Sequence, residues 1–290
     1  MAFSNSVTDC IARYGSEELK RQCIRPLCEG AAYPSVQFTE ADTGSDPQGL
    51  TMTAIPQGDS YIMNGMKRFS SFGARDGYAV TYTKDDTGRC SGFVVEKNKE
   101  GYSVEKTWEL MGGGGMEAAD VVFRDMRVPK ANLLGTKGGG FDVLLYWIAV
   151  EKMEQCAACV GIGQAALDEA VKYSKTRMAK GRPISALQGI RWMLADMHSK
   201  LEAARLVAYR AAFMADRRSS GWTTEAAAAK LFVVPTMIEV TEMARQIHGA
   251  YGYTKEFKIE MLSRAIAGAA GIATSLEINK SLVGAALLTD

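Results

Sequence analysis

The spacing of apolar positions changes character twice along the chain. Over residues 5–29 it is helical, in two pieces. Val7, Ile11 and Tyr14 mark the first, and Leu19, Cys23, Ile24 and Leu27 the second. Gly15 breaks the pattern, Ser16 is placed to cap the second piece, and Pro26 and Gly30 close it. Residues 33–128 carry short β-rich runs instead, at 50–54, 60–69, 78–83, 91–95, 102–107 and 120–123. Turn residues divide them, and Asn64-Gly65 inside the second run suggests a hairpin. Regular turns between short strands predict an antiparallel β-barrel or sandwich.

A linker rich in Gly and Lys follows at 129–140, and the helical period then returns for good. Helices are expected over 141–178, 187–217, about 223–249 and 257–288. In the second of these, Ile190, Leu194, Met197, Leu201, Ala204, Ala208 and Ala211 form one apolar seam. Thr223 or Thr224 is the candidate cap of the third, and Pro235 predicts a kink in it. Four long helices with apolar seams predict a four-helix bundle. The expected class is therefore α+β, in three parts. These are a short helical segment (1–32), a β-barrel or sandwich domain (33–136) and a C-terminal four-helix bundle (137–290).

Composition adds exclusions. Of 290 residues, 47% are hydrophobic and 23% charged, which fits a globular protein with a substantial core. Lys plus Arg is 34 and Asp plus Glu is 33, so nothing in the charge calls for a nucleic acid or a membrane surface. The basic cluster at 172–182 reads as a solvated helix end before it reads as a phosphate site. Six cysteines are too few for a disulfide scaffold. Cys156 and Cys159 lie mid-helix with no histidine to complete a zinc site, so no metal is expected and a reducing cytoplasm fits. The N-terminus lacks a leader pattern, and no apolar run is long enough to span a bilayer.

Chemistry concentrates at 37–46, Gln-Phe-Thr-Glu-Ala-Asp-Thr-Gly-Ser-Asp. A β-rich run ends there in hydroxyls, carboxylates and a glycine. That composition suits an ordinary polar loop, and equally a turn presenting N–H and hydroxyl groups to a ligand. Gly112 to Gly115 lacks a strand–helix frame, so it is no dinucleotide fingerprint and reads as a mobile loop. His198 reads as interhelical or solvated and His248 as a packing residue.

Several motifs then occur together in one order. They are Tyr14-Gly15-Ser16-Glu17-Glu18, Phe38-Thr39-Glu40 with Gly44-Ser45-Asp46, Asn64-Gly65-Met66-Lys67, and Val128-Pro129 with Leu134-Gly135. Gly138-Gly139-Gly140-Phe141 follows, then Arg177 with Gly181-Arg182-Pro183-Ile184 and Gln188, and finally the run Gln246 to Tyr253. This set resembles the acyl-CoA dehydrogenase family of flavoproteins, over nearly the whole chain but without most of the family's N-terminal helical domain.

The resemblance implies FAD as cofactor and an acyl-CoA thioester as substrate. By position it implies that Phe38, Thr39, Gly44 and Ser45 line the flavin and the thioester. Phe69 takes the place of a flavin-flanking tryptophan, and Ser71 that of a threonine bonded to flavin N5. Arg177, Gln188, Gln246, Gly249 and Ala250 look like the residues that reach the FAD of a neighbouring subunit. A homo-oligomer, dimer or tetramer, is therefore implied, or a hetero-oligomer.

Most of the family carries its proton-abstracting glutamate near the C-terminus, where this chain has Ala273. A minority carries it on the first bundle helix, and there the register falls on Glu151. Lys180, Ala265 and Gly113 to Gly115 depart from the family pattern. Three functions stay open: an acyl-CoA dehydrogenase using Glu151, an enoyl-CoA reductase fed by an electron-transfer flavoprotein, and a non-catalytic partner subunit.

Overall fold

A computed structural model describes residues 2–112 and 115–289. They fall into two compact units. One holds the residues up to Leu110 together with Gly115–Glu151; the other holds those from Lys152 onward, with Met111 and Gly112.

The first unit opens with α1 (Ala2–Tyr14) and α2 (Glu17–Cys28). A side chain at Gly15 would meet the Ile11 carbonyl oxygen at 2.6 Å, so this close turn requires glycine. Ser16 caps α2 as its sequence suggests, its Oγ accepting from the Leu19 N–H at 3.3 Å.

The strands are β1 (Tyr33–Gln37), β2 (Thr53–Gln57), β3 (Ser60–Ser71), β4 (Gly77–Lys84), β5 (Cys90–Glu96), β6 (Tyr102–Trp108), β7 (Ala118–Pro129) and β8 (Leu133–Leu134). They form one sheet in the order β6-β7-β3-β2-β4-β5-β8, with β1 beside β4. Of the expected barrel or sandwich, the sheet departs from a closed antiparallel barrel in two ways. β1 runs parallel to β4, from Tyr33 opposite Gly77 to Gln37 opposite Thr81, and β2 also meets β4 in parallel, at Thr53 and Lys84. The ladder also ends at β6 and β8 and does not close. Met63, Phe93, Val95, Val121 and Phe123 build the core of this unit.

The hairpin suggested at Asn64-Gly65 lies elsewhere. Gln57 pairs with Ser60, so the turn is Gly58-Asp59, with Gly58 at φ 56°. Asn64 and Gly65 sit inside β3, at a slip in its register with β7 between Met63 and Gly65. Gly65 has φ 138°, and a side chain there would strike Met52 at 2.8 Å. Asn64 is spent on Asp125, accepting from its N–H at 2.9 Å and donating to its carboxylate at 3.0 Å. The dipeptide marks a bulge.

Next come α3 (Gly140–Thr176), a short hairpin of β9 (Met178–Ala179) and β10 (Arg182–Pro183), then α4 (Gln188–Asp216) and α5 (Trp222–His248). The division between units falls inside α3. The seam expected on α4 is buried at Met197, Leu201, Ala204, Ala208 and Ala211. α5 starts from a left-handed Gly221, so Thr223 and Thr224 lie in its first turn rather than capping it. It continues through Pro235 to His248. The expected fourth helix is two, α6 (Lys258–Ala267) and α7 (Leu276–Ala286). Gly268, Gly271 and a left-handed Ala273 separate them, and Ser275 caps α7 by accepting from the Ile278 N–H at 3.3 Å. No helix among the described residues is long and apolar enough to cross a membrane.

Candidate active site

The turn after β1 is stapled from beneath. Buried Gln37 donates to Tyr102 Oη at 2.9 Å and accepts from Thr81 Oγ1 at 2.7 Å. The next residues, Phe38 and Thr39, are half-buried. The Phe38 ring meets Tyr82 edge-on at 6.1 Å, and the Thr39 carbonyl accepts from the Arg68 N–H at 2.7 Å. That bond ties the turn to β3. Gly44 and Ser45 are exposed at its tip, and a side chain at Gly44 would touch only the Thr39 methyl, at 3.9 Å.

Glu40 holds this turn in shape. It lies 5% exposed against a fully buried Lys67 from β3, with Nζ 2.7 Å from Oε1. The carboxylate also accepts from the Thr51 N–H (2.7 Å), the Thr51 hydroxyl (2.5 Å) and the Met52 N–H (3.1 Å). Lys67 further donates to the Phe38 carbonyl at 3.1 Å. Burial works against the Glu40 charge, but Lys67 and Thr51 outweigh it and hold the carboxyl below its ordinary range. Burial pulls Lys67 down to about 8, with Glu40 opposing the shift.

At the far end of β3, Phe69 lies within a second register slip, between Lys67 and Ser70, and Ser71 just after it. Phe69 sits in the left-handed region, φ 55°, which is costly for an aromatic residue. Buried Asp120 on β7 fixes it. It accepts from the Phe69 N–H at 3.4 Å, Arg68 Nε at 3.1 Å and the Trp108 indole at 2.8 Å. The bulge thus turns the Phe69 side chain outward: it is 51% exposed, its ring 5.0 Å from that of Trp108. Phe72 is also left-handed, φ 52°, and its carbonyl accepts from buried Lys97 Nζ at 2.7 Å. Burial pushes Lys97 down to about 7, with Glu117 and Asp76 opposing. Ser71 lies between these two constraints, and its hydroxyl has no hydrogen-bond partner among the described residues. Strained backbone held by buried charges is a signature of preorganised sites.

Glu151 is fully buried on α3, not on a solvated helix face. Its Oε2 accepts from the Ser6 hydroxyl on α1 at 3.1 Å, and Ser6 Oγ accepts from the Trp147 indole at 3.2 Å.

The second unit holds the other expected positions. Arg177, Gln188, Gln246, Gly249 and Ala250 are all exposed. The Arg177 guanidinium lies 5.8 Å from the Tyr251 ring centre, beside the turn that contains Gly249 and Ala250. The Arg177 carbonyl accepts from the Ile184 N–H at 2.8 Å, which brings the start of α4 and Gln188 to the same end. Lys180 (φ 50°) and Gly181 (φ 76°) form the two-residue turn between β9 and β10. His248 is buried and stacks on Tyr173 at 4.4 Å, the packing role expected of it, while His198 is exposed. Burial pushes the Cys156 and Cys159 thiols up to about 12 and about 11, which leaves them inert. Among the described residues no cluster could hold a metal. Gly113 and Gly114 lie outside the described residues. Gly112 is close-packed: a side chain there would meet the Arg264 carbonyl oxygen at 2.3 Å.

Glu40, Lys67, Lys97 and Asp120 were not among the expected site residues. Each acts on the site through tertiary contact. The one available signal was a lysine or carboxylate inside a β-rich run, where a charge must be paired to be buried.

Two family models match the chain: the acyl-CoA dehydrogenase middle domain over residues 35–126, and the acyl-CoA dehydrogenase C-terminal domain over 138–288. The caffeyl-CoA reductase–Etf complex subunit CarC of Acetobacterium woodii is 37% identical over 254 residues, 86% of this chain and 67% of that protein. An acyl-CoA dehydrogenase of Bacillus subtilis is 38% identical over 261 residues, 89% of this chain and 69% of that protein. The solved butyryl-CoA dehydrogenase of Megasphaera elsdenii superposes with a TM-score of 0.94 at 31% identity, covering 99% of this chain and 76% of that one. The chain belongs to the acyl-CoA dehydrogenase family, whose members are flavin-dependent acyl-CoA oxidoreductases. It spans about two thirds of the length of the curated relatives it matches.

Proposed function

We propose that the chain oxidises an acyl-CoA thioester to the enoyl-CoA, with Glu151 as the proton abstractor. The observation that carries this reading is a fully buried carboxylate on α3. Carboxylates are seldom fully buried, and position 273 offers an alanine where the family resemblance puts the base. Glu151 removes the α-proton, so its carboxylate becomes a carboxylic acid as the α C–H bond breaks. The β-hydride leaves with its electron pair, and the α-carbon's electrons form the new double bond.

The residues present fit FAD. Phe69 offers an exposed aromatic face in a conformation fixed by Asp120, and Ser71 offers an unengaged hydroxyl. Phe38, Thr39, Gly44 and Ser45 would line the ring and the thioester. Arg177, Gln188, Gln246, Gly249 and Ala250, all exposed, would meet the dinucleotide of another subunit. When bound, FAD supplies the hydride acceptor. An exposed apolar stripe on α4, Trp192, Leu206, Tyr209 and Phe213, supports a homo-oligomer.

A second reading runs the same site backwards, as an enoyl-CoA reductase with an electron-transfer flavoprotein as partner. The name of the Acetobacterium relative, a reductase in an Etf complex, favours it. Protonated Glu151 would then deliver the α-proton.

The test is an absorbance titration of the FAD-reconstituted protein with a panel of acyl-CoAs. Yellow protein that bleaches supports an oxidoreductase. Glu151→Gln should keep the colour and lose the bleaching. Full bleaching in that variant removes Glu151 from the mechanism, and protein that refuses FAD points to a non-catalytic subunit.

A further inference from the structure

The contact between α1 and the start of α3 is polar where helix packing is usually apolar. Ser6, Asp9 and Arg13 recur along α1 at helical spacing. Asp9 accepts from the Tyr146 hydroxyl, and the Arg13 guanidinium lies 4.7 Å from the Tyr146 ring centre. Ser6 is fully buried, with Glu151 on one side and Trp147 on the other.

The direction of each bond is set by chemistry. An indole N–H can only donate, so Trp147 occupies a lone pair of Ser6 Oγ. A hydroxyl has one proton, and at 3.1 Å from Oε2 that proton is given to Glu151. Trp147 therefore keeps Ser6 from turning round, and Ser6 keeps one carboxylate oxygen fixed. A buried base needs this. Its side chain must be held in one rotamer, and its charged form must be favoured enough to exist away from water. Along α3 the charged groups nearest Glu151 are buried Lys152 and half-buried Glu154, and on α1 Asp9 and Arg13 are engaged with Tyr146.

We infer that Ser6, directed by the Trp147 indole, is a positioning residue for the Glu151 carboxylate. The catalytic meaning of this contact rests on Glu151 being the base, as proposed above. The contact itself does not, which lets the two be tested apart.

The first measurement needs neither flavin nor substrate. Infrared difference spectra across pH follow the C=O stretch of the protonated Glu151 carboxyl, identified by its loss in Glu151→Gln. In Ser6→Ala the charged form loses a donor, so the band should appear at a pH higher by about one unit or more. Trp147→Phe keeps the ring and frees the hydroxyl, so it should move the band the same way by less. Ser6→Thr should restore the wild-type position. In the FAD-loaded protein, the acid limb of kcat/KM should shift with the band, and kcat should fall more than KM rises.

A Ser6→Ala band unmoved in folded protein overturns the inference. Should that variant not fold, Trp147→Phe decides, and an unmoved band there overturns it equally. If Glu151→Gln still bleaches while the band moves as stated, the contact stands and the assignment of the base falls.

Discussion

The buried Glu40–Lys67 pair gives the sharpest test of how the site is held. Lys67 is fully buried and Glu40 nearly so, with Nζ and Oε1 2.7 Å apart. Lys67→Met removes the cation paired with a carboxylate that would keep Thr51 and Met52 as donors. Breaking a buried pair from one side costs about 3–5 kcal/mol, a large share of the roughly 5–15 kcal/mol a domain has in hand. Glu40→Gln removes the carboxylate that opposes the desolvation of Lys67 and leaves the amine held chiefly by the Phe38 carbonyl, at a similar cost. The double variant leaves no unpaired charge, so it should be more stable than the sum of the singles by upwards of about 1 kcal/mol. Urea denaturation at neutral pH, followed by circular dichroism, measures all four corners of the cycle. The pH dependence has a definite sign. Glu40 sits below its ordinary value of 4.5, so its contribution is whole above that pH and drains as pH falls through the lower folded value. Lys67 sits at about 8 against 10.5, so the unfolded chain holds a proton the folded one has released. Its share of stability rises with pH across that window. Singles that each cost under about 1 kcal/mol and simply add would refute the idea that this pair fixes the turn.

Two further perturbations address the Phe69–Phe72 segment. Asp120→Ala removes the acceptor shared by Phe69, Arg68 and Trp108. It should cost about 1.5–3 kcal/mol of stability and lower FAD affinity about tenfold or more, read by calorimetric titration with FAD, because Phe69 leaves its left-handed conformation. Lys97 is drawn down to about 7, so wild-type stability should climb as pH rises through 7 toward 10.5, and Lys97→Met should remove that climb. Comparing denaturation midpoints of wild type and Lys97→Met across about pH 7 to 10 cancels the Lys67 share, which both carry.

Legibility in the sequence follows the range of the interaction. The helices and most strands were readable because apolar periodicity and Ser or Gly punctuation are local signals. Ser16 capping α2 and the apolar seam of α4 are examples. Asn64-Gly65 misled because a dipeptide suited to a two-residue turn suits a bulge equally well. What decides is the pairing partner, and Gln57–Ser60 had already closed that turn. The break between α6 and α7 had local signals that the apolar period overrode, namely Gly268, Gly271 and the capping Ser275. The turn at 37–46 was legible in residue type. Its support was not: Lys67 is 27 positions from Glu40, and Asp120 is 51 from Phe69. No spacing rule links such residues before the sheet forms.

The segment around Ala273 is a shaped turn with no reactive side chain at position 273. Ala273 is left-handed, φ 63°, a conformation that disfavours any residue with a Cβ. Buried Lys230 on α5 donates to the carbonyls on either side of it, Ile272 at 2.6 Å and Thr274 at 2.7 Å. Asn279 on α7 adds a bond to the Thr274 hydroxyl at 2.9 Å. One side chain thereby holds both carbonyls that flank a left-handed residue, which fixes the shape of the turn. By the family resemblance a carboxyl belongs on this turn; this chain has Ala273 there, on a turn held by Lys230 and Asn279. The carboxylate this chain buries on α3 is Glu151, with a hydroxyl and an indole set behind it. The proposed base at Glu151 and the shaped turn at Ala273 are thus two separately built features of this chain.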